Sequence, residues 1–432
     1  MSGGAIMCWP ASALPEIQHP NSTLTLTITE GSWVVSLIAV GSVPGAFLAG
    51  FLAEKFGRRA TALFQAGPIL LSWILISVGH NVWFLYTARF LGGTSVGGTG
   101  VIAPMYISEI AGRKRRATLV ALYPLSLSLG MLLSLSLSTI LTYRFLSIAI
   151  ASVAVFFLMT FFFAPESPVY QVLKGDLTSA KRSLDFFYGK ARSGRVLEET
   201  INMINSTSSG EKLTLGKLIK DKAFVKGLII SLGIMAELQL CGINFITAYS
   251  EKIFKELNSS VDPKLASNII FGVQVLAGCT QLFIINKFPR KVLLLQNSIL
   301  AFTTLTILGL QNLLGWEAGW LPVVCLVVFS LSFMWGFGAL CFTVMAEVFS
   351  SKAREIAFSL SIVLMWSLNF SVTKSFPMLL TTIGIGWTLL IFAGFMFASG
   401  FHIIFIVIET RGKTLKEIQD ELYGKGKPTQ KT

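Results

Sequence analysis

Long apolar stretches recur along the whole of this 432-residue chain, and short polar segments separate them. Each stretch reaches about 20 residues or more, the length an α-helix needs to cross the hydrocarbon core of a bilayer. Eleven such spans are predicted, at 31–53, 61–80, 83–109, 117–139, 144–164, 223–248, 265–286, 292–314, 319–346, 356–379 and 386–408. The pattern therefore predicts an all-α membrane protein whose polar connections lie outside the lipid.

A shorter apolar stretch precedes the first of these spans. Residues 3–15 are apolar over only about a dozen positions, which is too few to cross a bilayer. Neither a basic segment nor a cleavage pattern accompanies it, so a signal peptide is not expected. Together with the eleven full spans it predicts twelve helices, of which the first is short or truncated.

Composition excludes a soluble protein of this size. Hydrophobic residues make up 53% of the chain and charged residues only 13%, too few to cover a large water-exposed surface. The net charge of +13 does not indicate nucleic-acid binding, because most Lys and Arg residues lie in alternate connections between spans. Such asymmetry marks the cytoplasmic side of a membrane protein. It places the loop 165–222 and the C-terminus in the cytoplasm.

The order of the spans divides the chain into two similar halves. We predict an N-terminal transmembrane bundle at 1–164, a cytoplasmic helical loop at 165–222, a C-terminal bundle at 223–408 and a cytoplasmic tail at 409–432. Glu109 precedes Arg116 by seven positions, and Glu347 precedes Arg354 by the same spacing. An internal repeat of this kind predicts two pseudo-symmetric six-helix bundles, as in secondary transporters that rock about a central site.

Acidic and basic residues at the cytoplasmic ends of the helices are candidates for a gating latch. Paired carboxylates and guanidinium groups would hold the inner side closed and separate when it opens. The alternative is that these charges only set topology. The latch candidates are Glu54, Arg58, Arg59, Glu109, Arg116, Glu166, Arg290, Glu347 and Arg354.

Several ordered motifs resemble those of one family. They are Gly57-Arg58-Arg59, Arg89 with Gly92 and Gly93, Pro104-Met-Tyr106, Pro165-Glu166-Ser167-Pro168, Gln239-Leu-Cys-Gly242-Ile-Asn244, Glu347-Val-Phe and Glu409-Thr410-Arg411-Gly412. In this order they resemble the sugar porter family of the major facilitator superfamily. Within that family, the segments 9–15 and 372–374 look most like insect facilitated trehalose transporters.

The resemblance implies alternating access to a sugar held between two helical bundles. It assigns sugar contacts to Gln239, Asn244, Gln274, Phe342, Trp366 and Asn369. These residue types suit the task, because amides both donate and accept hydrogen bonds and aromatic rings pack against the C–H faces of sugars. The alternative is that the amides bond neighbouring helices and that Trp366 only fills space.

The same resemblance bears on coupling and substrate. Proton-driven members carry an acid in helix 1 beside the helix 4 arginine, whereas residues 4–13 contain no acid although Arg89 is present. We therefore expect facilitated diffusion of trehalose or a hexose such as glucose. A proton-coupled symporter is the alternative, as is a sugar sensor or inactive relative that does not transport. The sensor or inactive relative is suggested by the short first helix, by the absence of two flexing prolines from the span 319–346, and by Asn286 and Pro289, which replace usual latch residues.

The remaining chemistry points away from catalysis. Five cysteines and three histidines are scattered, so we expect no metal site, no cofactor and buried, unpaired cysteines. A phosphate-binding Walker sequence and a nucleophile–base pattern are both absent, so an enzyme is not expected. Sequons at Asn21 and Asn258 fall in predicted outside loops and are candidate glycosylation sites. The expected partners are a sugar and membrane lipid rather than nucleic acid, for a monomer in the plasma membrane.

Overall fold

The computed structural model describes the chain except for residues 20, 21, 23, 113–115, 209–217, 219, 350 and 424–432. The side chains of several further helical residues, among them Arg116 and Asn286, also lie outside the description. The described part folds into α-helices joined by short turns.

Ten helices are described in the N-terminal part of the chain. They are α1 Ser2–Ile17, α2 Ile28–Phe56, α3 Arg58–Val78, α4 Val82–Ile110, α5 Arg116–Val120, α6 Leu122–Ser138, α7 Tyr143–Phe161, α8 Pro168–Leu173, α9 Leu177–Tyr188 and α10 Lys190–Ser208. The predicted spans in this part match these helices to within a few residues, apart from the break between α5 and α6. Charged and turn-forming residues end each apolar stretch, so the sequence marks these boundaries.

In the C-terminal part, the described residues form nine helices. They are α11 Lys222–Leu240, α12 Ile243–Glu256, α13 Pro263–Lys287, α14 Arg290–Leu314, α15 Leu321–Trp335, α16 Phe337–Val348, α17 Ser351–Thr382, α18 Gly384–Phe405 and α19 Leu415–Leu422. Two predicted spans are each broken in two. The span 223–248 breaks around Gly242, and the span 319–346 breaks at Gly336.

Nine helices of the described residues are long and apolar enough to cross a membrane. The predicted spans 83–109 and 265–286 form helices α4 and α13, which are not among those nine. Gly, Ser and Thr residues dilute the apolar character of α4, so hydropathy alone understates it.

Glycines in α2 and α4 let these two helices pack with their backbones in close approach. A Cβ atom on Gly45 would lie 2.1 Å from the carbonyl oxygen of Thr94, and one on Gly97 would lie 2.0 Å from that of Ser42. Real side chains cannot occupy such distances, so only glycine fits. Small residues at four-residue spacing are the usual means of close helix packing in membranes.

The chain divides into two compact units. The first consists of Met1–Trp9, Glu16–Leu26 and Trp33–Lys212, and the second of Pro10–Pro15, Thr27–Ser32 and Leu213–Thr432. In the first unit, α3 packs closely against α4 and α7. In the second, α14 packs against α18 and α11 packs against α17. Each unit therefore has its own helical core.

Candidate functional site

A helix break between α11 and α12 lies beside polar residues of the second unit. Gly242 adopts φ 98° and ψ −2°, a left-handed conformation that glycine accepts readily. A Cβ atom there would also lie 2.6 Å from Cε1 of Phe245. Gln239 ends the helix before the break and Asn244 begins the helix after it. The two amides therefore meet across the helix break, and this break requires a residue without a side chain at position 242.

Three predicted sugar-binding amides form one hydrogen-bonded cluster. Asn244 Nδ2 donates to Gln239 Oε1 at 2.5 Å, and Asn369 Nδ2 of α17 donates to the same oxygen at 3.2 Å. Gln239 and Asn369 are each only 5% exposed. Amides buried in this way must satisfy one another or a ligand, because an unpaired buried polar group is costly. We call Gln239, Asn244 and Asn369 the amide cluster.

Trp366, Gln274 and Phe342 are placed less closely together. Trp366 is buried one turn before Asn369 on α17, so the two side chains share a helix face. Gln274 is buried on α13, and no hydrogen bond joins it to the amide cluster in the described structure. Phe342 on α16 is 45% exposed. The structure thus unites the three amides, but it leaves the roles of these other residues as predictions.

Tyr249 lies farther along α12, where the helix kinks. Its backbone has φ −132° and ψ 24°, outside the helical range. The hydroxyl donates to the carbonyl oxygen of Thr373 at 3.3 Å, and the ring stacks on Phe376 with 5.1 Å between centroids. The side chain is buried, so it is not an exposed interfacial aromatic.

A charged cluster lies at the end of α2 and α4 in the first unit. The guanidinium of Arg58 pairs with the carboxylate of Glu109 at 2.9 Å. Glu166 accepts hydrogen bonds from the backbone N–H groups of Arg58 and Arg59. The hydroxyl of Ser167 donates to the second oxygen of Glu109. We call Arg58, Arg59, Glu109, Glu166 and Ser167 the first latch.

The second unit contains the same arrangement at its corresponding position. Arg290 pairs with Glu347 at 3.5 Å, and Glu409 accepts from the backbone N–H groups of Arg290 and Lys291 at 3.1 Å each. Thr410 donates to the second oxygen of Glu347 at 2.6 Å. We call these five residues the second latch. The repeat seen in the sequence therefore extends to individual hydrogen bonds.

Two of the latch predictions need correction, and a third stays untested. The spacing of seven suggested that Glu347 acts with Arg354, but Glu347 contacts Arg290 and Thr410, whereas Arg354 donates to the carbonyl oxygen of Phe349. Glu54 is exposed rather than paired in the described structure. The side chain of Arg116 lies outside the described residues, so its contact with Glu109 stays a prediction.

Four members of the latches are not among the predicted candidates: Ser167, Lys291, Glu409 and Thr410. Glu166-Ser167 and Glu409-Thr410 both follow the last helix of their half. That repeated acid–hydroxyl pair is the signal that would have revealed Ser167, Glu409 and Thr410. Arg89, in contrast, behaves as expected of a structural arginine. It is fully buried and donates to the carbonyl oxygens of Val34 and Ile6.

The predictions for cysteine and histidine also need revision. Cys8, Cys241, Cys325 and Cys341 are buried, but Cys279 is exposed. His402 was taken as an isolated residue, yet its Nδ1 atom lies 2.7 Å from Oε1 of Glu237. In the described residues no group of three or more His, Cys, Asp or Glu is arranged to hold a metal.

The two predicted glycosylation sites differ in what the structure shows. Asn258 is exposed in the turn after α12, with a positive φ of 49°. An asparagine tolerates this conformation better than most residues. Asn21 lies outside the described residues.

Comparison with known proteins gives consistent results. The chain is 33% identical over 417 residues to a "Facilitated trehalose transporter Tret1" of Bombyx mori, covering 94% of this chain and 82% of that relative. A protein of the same name from Drosophila virilis is 31% identical over 432 residues, but the chain covers 47% of its length. This chain thus spans about half the length of the Drosophila relative.

Solved structures share the fold. The xylose transporter XylE from E. coli, in a partially occluded inward open conformation, superposes with a TM-score of 0.81 at 19% identity, covering 96% of each chain. Its inward open conformation gives a TM-score of 0.80 over 97% of each chain. At this identity the likeness establishes the architecture only.

The family described as "Sugar (and other) transporter" matches residues 10–422, which is nearly the whole chain. This protein therefore belongs to the sugar transporter family and is a multi-pass membrane transporter of the major facilitator fold, not an enzyme.

Proposed function

We propose that the protein is a facilitative transporter that lets a sugar, most simply trehalose, move down its concentration gradient. The observation that carries the proposal is the amide cluster at the break between α11 and α12. Amide groups match the donor and acceptor pattern of sugar hydroxyls. A break in a membrane helix is where transporters commonly hold their substrate. The names of the insect relatives support trehalose as the substrate.

The helix break at Gly336 bears on the alternative that the protein is an inactive relative. The span 319–346 lacks two of the prolines usual in the family, which suggested an inactive relative whose helix cannot bend. The structure nevertheless breaks at Gly336, where a Cβ atom would lie 2.4 Å from Cβ of Asn297. Close packing on glycine thus supplies an interruption without proline. This favours a working transporter over an inactive relative.

The remaining parts of the proposal concern placement in the cell. We infer a monomer in the plasma membrane, with loop 165–222 and the C-terminus in the cytoplasm. The concentration of Lys and Arg in the connections on one side supports this orientation. Modification of Asn258 would support it further, because glycosylation acts on the outer side.

Counterflow in liposomes tests the transport function. Purified full-length protein is reconstituted in vesicles loaded with unlabelled trehalose, and labelled trehalose is added outside with equal pH on both sides. Transient accumulation of label is expected, and a parallel experiment with glucose ranks the two sugars. Trehalose or glucose that binds without crossing the membrane would contradict the proposal and favour a sensor.

A further inference from the structure

A carboxylate and an imidazole meet inside the second unit. Oε1 of Glu237 on α11 lies 2.7 Å from Nδ1 of His402 on α18, and Glu237 is 7% exposed. Both residues lie in helices apolar enough to cross the membrane, within Lys222–Glu256 and Gly384–Phe405. Ionisable residues are expensive there, and those that occur commonly serve a function. The function proposed above does not use this pair.

The surroundings of the pair are compact and nearly free of charge. A Cβ atom on Gly233 would lie 2.3 Å from Cε1 of His402, so the imidazole packs directly on the backbone of α11. Ser399 lies one turn before His402 and close to the carboxylate. Cys341 of α16 and Cys241 after α11 are the titratable neighbours. In the described structure, His402 is the ionisable side chain that lies within salt-bridge distance of Glu237.

Three polar atoms around the pair make no hydrogen bond of normal geometry in the described structure, although the Ser399 hydroxyl is close enough to interact with the Glu237 carboxylate. They are Oε2 of Glu237, Nε2 of His402 and Oγ of Ser399. Each atom is buried, so leaving it unpaired is costly. A site with a free carboxylate oxygen and a free ring nitrogen has spare capacity to hold a proton.

The charge of the pair favours one bound proton. With an ionised carboxylate and a neutral imidazole, the pair carries a net charge of −1 in an apolar environment. Uptake of one proton from water makes the pair neutral, either as an ion pair or as a carboxylic acid beside a neutral ring. A second proton would make the pair positive. One proton thus gives the state that is least costly to bury.

The position of Glu237 connects this pair to the amide cluster. The carbonyl oxygen of Glu237 accepts from the backbone N–H of Cys241 at 2.9 Å, the bond that closes the last turn of α11. Gln239 lies within that turn. The side chain of Glu237 therefore ties the end of α11 to α18, next to the residue that accepts hydrogen bonds from both asparagines of the cluster.

We propose that Glu237 and His402 form a proton-binding site, and that the bound proton holds α11 in the arrangement that moves sugar. The second half of this inference rests on the proposed transport function, whereas the first half does not. Loss of the proton leaves a buried negative charge, which weakens the fixed contact between α11 and α18. Sugar movement therefore falls as the pH rises.

Infrared spectroscopy tests proton binding without any transport. Purified full-length protein is titrated, and the carboxylic acid band that disappears with rising pH is recorded. We expect one component of this titration to be lost in Glu237→Gln and shifted in His402→Gln. Glu251→Gln is the matched control, because Glu251 is also 7% exposed and lies on α12 away from the pair. An unchanged titration in Glu237→Gln would overturn the proton site.

Exchange of labelled trehalose in liposomes, at equal inner and outer pH, tests the consequence. Wild-type exchange is expected to fall several-fold from about pH 6 to about pH 9, the range in which a carboxylic acid buried away from water releases its proton. Glu237→Gln should give a flat profile, and Glu251→Gln should keep the wild-type profile. If Glu237→Gln kept the pH dependence of wild-type exchange, the link between the proton site and sugar movement would be overturned. The same holds if Glu251→Gln alone lost that pH dependence. Absence of exchange in all proteins would contradict the transport function, while the infrared titration would still decide the proton site.

Discussion

Gln239 holds the central place in the amide cluster because one oxygen atom serves two donors. Asn244 and Asn369 approach it from different helices, so the side chain joins α12 to α17 as well as facing the break. The helix position of each residue could be predicted from the motif. That two asparagines share one acceptor could not, because it depends on the rotation of α17 about its axis.

At the residue scale, we predict that Asn244→Ala weakens trehalose binding strongly. Loss of one buried hydrogen-bond partner costs about 1–3 kcal/mol, which corresponds to roughly five- to 150-fold in half-saturation for exchange. Labelled exchange at varied trehalose concentration measures this.

Asn297→Ala is the matched control for that substitution. Asn297 is a fully buried asparagine, whereas Asn244 is half-buried, and Asn297 donates to Oγ of Ser332 at 3.1 Å within the second unit. Its removal should lower stability without changing half-saturation. Equal effects of the two substitutions on half-saturation would show that Asn244 acts only through folding.

At the scale of elements, the break between α11 and α12 depends on Gly242 for two separate reasons. The left-handed backbone strains any side chain, and the ring of Phe245 occupies the space that a Cβ atom would need. Two other glycines allow the effect of the left-handed backbone to be separated from the effect of the steric clash. Gly384 has φ 79° with open space around it, and Gly272 of α13 has open space and no positive φ.

We therefore predict that Gly242→Ala reduces trehalose exchange and thermal stability more than Gly384→Ala does, and that Gly272→Ala has little effect. Strain alone costs about 1–2 kcal/mol, and the clash in Gly242→Ala adds to it. Melting temperature in detergent and exchange in liposomes measure the two effects. A Gly242→Ala protein as stable and active as Gly272→Ala would remove the break from the mechanism.

The helices themselves could largely be predicted, since apolar stretches and their charged ends determine where a membrane helix begins and ends. The breaks at Gly242 and Gly336 were harder to predict from the sequence, because a glycine within a span is compatible with a continuous helix. The helix breaks where another side chain occupies the space of a Cβ atom: Phe245 packs against Gly242, and Asn297 packs against Gly336. Such neighbours become visible only in three dimensions.

At the scale of the whole molecule, each unit carries its own complete latch. The residues correspond in pairs: Arg58 and Arg290, Glu109 and Glu347, Glu166 and Glu409, Ser167 and Thr410. Sequence spacing revealed the repeated acids and arginines but assigned Glu347 the wrong partner. Contact between Arg290 and Glu347 joins residues 57 positions apart, and the Glu237–His402 pair joins residues 165 apart. Spacing along one helix cannot predict contacts of that range.

We predict that Glu166→Gln and Glu409→Gln each shift the protein towards its inward-open state. Each carboxylate accepts hydrogen bonds from two or more backbone N–H groups, and hydrogen bonds to charged groups contribute about 1.5–3 kcal/mol each before solvent screening reduces them. Inhibition of exchange by a non-transported sugar analogue added to one side or the other measures the shift.

The control for the latch substitutions is Arg195→Ala. Arg195 pairs with Glu199 at 3.3 Å on the exposed face of α10, with its side chain 87% exposed, and such surface pairs contribute little. The ratio of inhibition by analogue added outside to inhibition by analogue added inside is compared with the wild type. If this ratio is unchanged in both glutamine variants, the latch residues set the topology and do not control gating.

The shared acceptor in the amide cluster has a kinetic consequence. Because Oε1 of Gln239 already receives two hydrogen bonds, a hydroxyl that donates to this oxygen must replace one of them instead of adding to them. Exchanging one hydrogen bond for another yields little net free energy. If the amide cluster binds the sugar as proposed, this exchange predicts a short residence time and rapid turnover. A site built in this way suits passage of an abundant solute and is poorly suited to storage or long-lived signalling.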